Sequence, residues 1–210
     1  MAEYNFYVSN KKIKIDSKEC MSGIWGTSFV CSLILFLTFL AFVATSVLLA
    51  IFVKWWLAIP VGLFGLLILS FLVYGYENLG LQLARQENIS AGIIFSGFKN
   101  FRNVFSLSIK KFFLRIIWLV LLVIPFFVNN IGYSMANFLM IESKENNSSN
   151  ALANSKHILK NNYGRYFKFL LSNTSWFLLI LVTGGIAFLW VGQLLATRKA
   201  LFYENLKTDF

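Results

Sequence analysis

The sequence predicts an all-α integral membrane protein with about six transmembrane helices, paired as three hairpins, each preceded by a cytoplasmic amphipathic helix. Three observations lead there. Of the 210 residues, 58% are hydrophobic and 13% charged, against roughly 45 to 50% and about 25% in soluble globular domains. The apolar residues gather in the runs Gly23 to Val53, Leu57 to Tyr76, Phe112 to Ile141 and Tyr166 to Thr197, and ~20 such residues suffice to cross a hydrocarbon core of ~30 Å. The basic residues fall between these runs in a one-sided pattern.

The first run follows a polar segment that ends at Ser22 and is far longer than the ~7 to 15 residues of a signal-peptide core, so it is expected as an uncleaved membrane helix. The two C-terminal runs are long enough to be single steep crossings or tight hairpins, giving four or six spans. Charge placement decides, because Lys and Arg concentrate on the cytoplasmic side. With spans at 24–53, 57–76, 112–128, 130–142, 166–183 and 186–203, 18 of the 19 basic residues share one side. Lys54 alone faces out, beside Trp55 and Trp56, whose rings suit the headgroup level. Four spans would put Lys144, Lys156, Lys160, Arg165 and Lys168 outside. Turn signals support six: Asn129 and Asn130 follow Pro125, and Gly184 and Gly185 follow Thr183. Spans four and six hold only about a dozen uninterrupted apolar residues, so they are expected to lean in a bundle, cross partially, or rely on snorkelling of Arg198 and Lys199.

The whole chain, 1–210, reads as one membrane domain containing an internal repeat. Ser17 to Gly26 aligns without a gap with Ser155 to Gly164, matching the Ser-Lys pair, an apolar position, an aromatic and a glycine. A looser third copy places Phe101 and Phe105 opposite Trp25 and Phe29. The units are 17–86, 92–143 and 151–206, arising either by ancestral triplication or by chance among biased sequences. Each begins with a candidate surface helix. In one, Ser90 is the expected N-cap, and Ile93, Ile94, Gly97, Phe98, Phe101, Val104 and Phe105 form an apolar stripe opposite Lys99, Asn100, Arg102 and Asn103. In another, Ala151, Leu152, Ser155, Ile158, Leu159 and Tyr163 lie opposite Lys156 and Lys160. Such helices either rest in the membrane interface or tuck against the bundle.

Chemistry is sparse. The chain has one histidine, His157, and nine acids, with no Cys, Asp or Glu at metal-ligand spacing from that histidine. No HExxH, GxSxG or glycine-rich phosphate loop is present, and Cys20 and Cys31 form no CxxC. No enzyme activity, cofactor or metal is expected. The net charge of +10 has no nucleic-acid motif beside it and points instead to anionic headgroups. Glu77 ends the second span and reads as headgroup-exposed, with a proton or ion relay as the competing reading, because an ionisable residue within a span is by default functional. Asn137, Asn173, Thr174 and Gln193 are neutral polar residues inside later spans. They either bond between helices or line a substrate path. Lys99, Arg102, Lys156 and Lys160 are expected at the interface.

Gly132-Tyr133-Ser134-Met135-Ala136, Ser155-Lys156, Leu171-Ser172 with Trp176, Thr183-Gly184-Gly185-Ile186 and Phe202-Tyr203-Glu204 together resemble a bacterial membrane family catalogued as domain of unknown function number 975. Trp25-Gly26 and the Phe95 to Phe101 segment fit it too. The chain departs from that pattern at Pro125-Phe126-Phe127, Leu159-Lys160-Asn161 and Val191-Gly192. The resemblance implies a multi-pass protein of the bacterial cytoplasmic membrane and carries no reaction. The expectation is a non-enzymatic module, with both termini cytoplasmic, that binds the bilayer's anionic headgroups and another membrane protein or a peptide. Tolerance to membrane-active peptides is a special case. A transporter or channel component is the alternative.

Overall fold

In a computed structural model of the chain, residues 9–53, 55–87, 89–121, 130–142 and 147–207 are described, and the regular structure among them is entirely helical. Lys54, Pro125, Asn129 and Lys144, which entered the crossing count, lie outside the described residues.

Among the described residues, two helices are long and apolar enough to cross a membrane: α2 (Trp25–Phe52) and α3 (Trp55–Ala84). At ~1.5 Å per residue, α2 is long enough to traverse the ~30 Å core. The core helix of a soluble protein of this size would be buried, yet only 6% of the most apolar window of α2 is. Leu37, Leu40, Leu48, Ile51 and Phe52 all face outward, an exposed apolar surface of the kind that marks a membrane or protein contact. The polar atoms here are satisfied locally: Thr38 and Thr45 donate to the carbonyls of Ile34 and Ala41, each at 2.7 Å. A lipid-facing hydroxyl has no other acceptor.

The other halves of α2 and α3 behave differently. Ser28, Cys31, Ser32 and Leu35 are buried, as are Phe71, Leu72, Tyr76, Leu79 and Leu83, because α10 (Phe188–Lys207) packs against both helices. A short 3-10 turn (Ala91–Phe95) and α4 (Ser96–Lys99) press backbone to backbone on α3. A Cβ on Gly75 would sit 2.0 Å from the Ile94 carbonyl oxygen, and one on Gly97 would sit 2.3 Å from that of Phe71. The expected single amphipathic helix over 90–105 is therefore broken: α5 (Phe101–Leu121) starts anew after Asn100. Ile94, Gly97 and Val104 are buried as the stripe predicts, while Phe101 stacks on Phe71 at 5.1 Å.

On the same inner side, α1 (Asn10–Cys20), capped by Ser9, buries Ile13 and Ser17 against α10. α6 (Ala136–Glu142) and α7 (Ser148–Leu159) pair with each other. Ser155 of α7 donates to the Gly132 carbonyl at 2.6 Å and accepts from the Met135 amide at 3.2 Å. α7 is thus tucked against the bundle rather than lying free. The segment 130–142 runs along it, with Gly132 against Lys156 and Tyr163. Two pairs of aligned repeat positions share one environment, since Ser17 and Ser155, and Met21 and Leu159, are each 0% exposed.

α8 (Tyr163–Ser172) and α9 (Thr174–Val182) meet at Asn173. A turn at Thr183–Ala187 then reverses into α10. Its glycines hold φ of +61° and +94°, the region that favours glycine. Gly185 abuts the Phe36 ring, and Phe36 lies 16 residues, ~24 Å of helix rise, short of Phe52 at the end of α2. The α9–α10 hairpin therefore reaches less than halfway along α2.

Candidate functional site

The inner half of the bundle concentrates the charges. Arg198 and Lys199 are consecutive on α10, so helical geometry sends them to different neighbours. The Arg198 guanidinium, 1% exposed, donates to Ser17 Oγ at 3.0 Å and to Asn173 Oδ1 at 2.8 Å, and lies 5.9 Å from the centre of the Trp176 ring. These partners are neutral. Lys199 instead forms an ion pair with Glu77 of α3 at 2.5 Å and sits over the Phe138 ring at 5.3 Å. Snorkelling of these two residues is one of the alternatives the sequence offers for the short sixth span. Here both turn inward, because Ser17 of α1 and Asn173 just after α8 supply acceptors to Arg198 and Glu77 of α3 supplies one to Lys199. Glu77 is corrected likewise: its side chain is 12% exposed, so it is a bundle ion pair and not a headgroup contact.

A second ionic group closes the inner end. Arg85, just past α3, pairs with Glu142 of α6 and, at 2.7 Å, with Glu204 of α10. Lys207 joins Glu142 at 2.9 Å, and the Tyr203 hydroxyl donates to the same carboxylate. These side chains are 19 to 42% exposed. Pairs so close to water contribute ~0 to 1 kcal/mol each, and their main effect is to register three helix ends.

A third set of cations forms no ion pair among the described residues, although Lys111 lies within electrostatic reach of Glu77. Lys111 donates to Asn137 Oδ1 at 2.6 Å, Arg115 Nε to Asn130 Oδ1 at 3.0 Å, and Lys110 to Ser148 and Ser149 at 2.7 and 2.6 Å. Lys111 and Arg115, four residues apart, share a face of α5. They border a half-open cavity of about 560 Å³ between α3 and α5, whose walls include Leu63, Leu66, Val73 and Phe112. That volume falls in the range of ligand pockets, about 300 to 1,000 Å³.

The residues singled out in sequence are thus dispersed. Asn137 holds Lys111, and Asn173, 2% exposed, holds Arg198 while its Nδ2 donates to the Phe169 carbonyl at 3.0 Å. Thr174 is exposed and bonds only within its own helix region, to the Leu170 carbonyl. Gln193 is 0% exposed, and neither amide atom has a partner among the described residues. Lys99, Arg102 and Lys160 are exposed, and Lys156 lies 4.7 Å over the Tyr133 ring. Sequence reasoning placed Lys111 and Arg115 with the other cytoplasmic basic residues. Their four-residue spacing beside the apolar Phe112 and Phe113 was the available signal.

His157 is exposed, and no group of three or more metal-ligating side chains forms among the described residues. Burial and the neighbouring Asp16 carboxylate push the Cys20 thiol above its ordinary value, which leaves it a poor nucleophile at neutral pH.

Comparison with curated proteins and with solved structures gives no match for the chain. Residues 109–209, from the middle of α5 through α10, match the model of a family described as "Protein of unknown function (DUF975)". That segment contains Lys111, Arg115, Asn137, Asn173, Arg198 and Lys199, so the chain resembles the DUF975 family across most of its charged interior.

Proposed function

We propose that this is a multi-pass protein of the bacterial cytoplasmic membrane, with both termini cytoplasmic, acting as a non-enzymatic module that docks an anionic partner on its basic inner face. The partner classes are a peptide, another membrane protein or lipid headgroups. The observation that carries the reading is the charge balance of that face. Glu77, Glu142 and Glu204 are engaged in internal pairs, while Lys99, Arg102 and Lys160 remain exposed. Such a surface attracts anions in a salt-dependent way.

In this reading α2 and α3 cross the bilayer completely. The α9–α10 hairpin is re-entrant from the cytoplasmic side, which keeps 18 of the 19 basic residues on one side without requiring a full sixth crossing. Its turn suits hydrocarbon. Every backbone N–H from Thr183 to Val191 has an acceptor within the hairpin, including the Thr183 hydroxyl, which accepts from the Ala187 amide at 3.1 Å. Irregular backbone in lipid requires that satisfaction.

The test is association of the purified protein, held in nanodiscs of zwitterionic lipid, with vesicles containing phosphatidylglycerol. Association is expected to weaken with salt and to fall about tenfold in a Lys99→Gln/Arg102→Gln/Lys156→Gln/Lys160→Gln variant. Equal association of variant and parent would remove the reading. A transporter is the second reading, favoured by the Glu77–Lys199 pair and by the unpartnered Gln193 amide. Unaided solute flux in proteoliposomes, lost in Gln193→Leu at normal abundance, would favour it.

A further inference from the structure

We propose that the cavity between α3 and α5 binds one anionic phospholipid, with its phosphate at Lys111 and Arg115 and an acyl chain along Leu63, Leu66 and Phe112. This deepens the docking reading by naming a specific site, and rests on that reading's placement of the chain in a membrane.

Cations inside this bundle are treated in two ways. Lys199 and Arg85 meet carboxylates, so their charge is cancelled within the protein. Lys111 and Arg115 are bonded to the amide oxygens of Asn137 and Asn130, which fix their positions, and neither forms an ion pair with a described acid; Glu77, within electrostatic reach of Lys111, is paired to Lys199. Among the described residues no acid lines the cavity. Arg115 uses Nε in that contact, and its two terminal nitrogens have no hydrogen-bond partner among the described residues; a guanidinium presents them in a planar fork suited to phosphate. The result is a pre-positioned double cation.

The rest of the cavity selects an amphiphile. Its remaining walls are largely apolar and open toward the lipid-facing outer half of α3, where Leu63, Phe64 and Leu66 are exposed. The charged end lies inward: Asn137 precedes Phe138, whose ring lies under Lys199, the partner of Glu77. A phospholipid of the cytoplasmic leaflet has this polarity, with its phosphate at the inner face and its chains pointing to the midplane. Basic pockets between membrane helices on this side are suited to anionic headgroups. A free phosphate would leave the apolar walls empty.

The experiment is native mass spectrometry of the full chain released from detergent with added phosphatidylglycerol or phosphatidylcholine of identical chains. One phosphatidylglycerol is expected to be retained, at about tenfold greater occupancy than phosphatidylcholine, a factor equivalent to ~1.4 kcal/mol. Lys111→Gln/Arg115→Gln should abolish that preference while keeping the parent's melting temperature. The four-fold variant of the basic face should keep it while losing vesicle association, so the two readings fail separately. Equal retention of the two lipids, or preference persisting in Lys111→Gln/Arg115→Gln, overturns the site. If that double variant unfolds, Asn137→Ala and Phe112→Ser serve instead, each expected to reduce the preference severalfold, and unchanged preference in both overturns the site as well. Displacement of the lipid by inorganic phosphate alone would show a phosphate site without chain recognition. Displacement by an acidic amphipathic peptide, with no lipid preference, would assign the cavity to a peptide. Either result overturns the proposal.

Discussion

Along the same two helices, the stretch of α2 beyond Phe36 and the start of α3 expose most of their large apolar side chains, whereas Phe71 to Leu83 buries most of its own. Among the described residues, the outer half is held mainly by contacts between α2 and α3, such as Phe42 with Phe64. The inner half is wrapped by α1, α4, α5, α6 and α10 and holds the ion pairs. The difference teaches that one hairpin meets two environments. In the proposed membrane placement, hydrocarbon covers the outer half and demands only satisfied backbone and hydroxyls, while the inner half is covered by protein and therefore has to match volumes and charges.

Substitutions across this boundary sharpen the contrast, and unfolding of the purified protein in mixed micelles provides the scale. Glu77→Gln leaves Lys199 charged without its partner and is expected to cost on the order of 3 kcal/mol. Adding Lys199→Met should recover more than half of that loss, because the penalty comes from the orphaned charge. Gly75→Ala drives a methyl into the Ile94 carbonyl and is expected to cost about 2 kcal/mol by overpacking. Thr183→Val removes the acceptor of the Ala187 amide, for about 1.5 kcal/mol. Leu48→Ala, at a position 54% exposed, should cost less than about 0.5 kcal/mol in micelles, as surface substitutions away from special features do. A loss at Leu48 comparable to that at Gly75 would mean that protein, not lipid, covers the outer half.

The all-helical class and the two long apolar helices α2 and α3 were legible because they rest on a local quantity, apolar run length. The Thr183-Gly184-Gly185 turn was legible for a similar reason, since φ > 0 favours glycine. So was the α7 stripe, whose Ala151, Leu152, Ser155 and Leu159 are buried. The charged interior was not legible. Arg198 reaches Ser17 across 181 positions and Lys199 reaches Glu77 across 122, so nothing near either residue in sequence announces its partner. At the end of an apolar run, snorkelling is the default expectation, and only long-range packing overrides it. Hairpin depth escaped for the same reason: the Gly185 contact with Phe36 is set by how α10 slots between α2 and α3, not by the length of its apolar run.

Topology carries the account, and cysteine accessibility measures it most directly. With Cys20 and Cys31 replaced by serine, single cysteines are introduced as Val53→Cys, Asn154→Cys and Ile186→Cys, and intact cells are treated with a membrane-impermeant maleimide. The account predicts labelling at position 53 from outside, at position 154 only after permeabilisation, and none from outside at position 186, where the re-entrant turn ends in hydrocarbon. External labelling at 186 equal to that at 53 would contradict it and restore a complete sixth crossing.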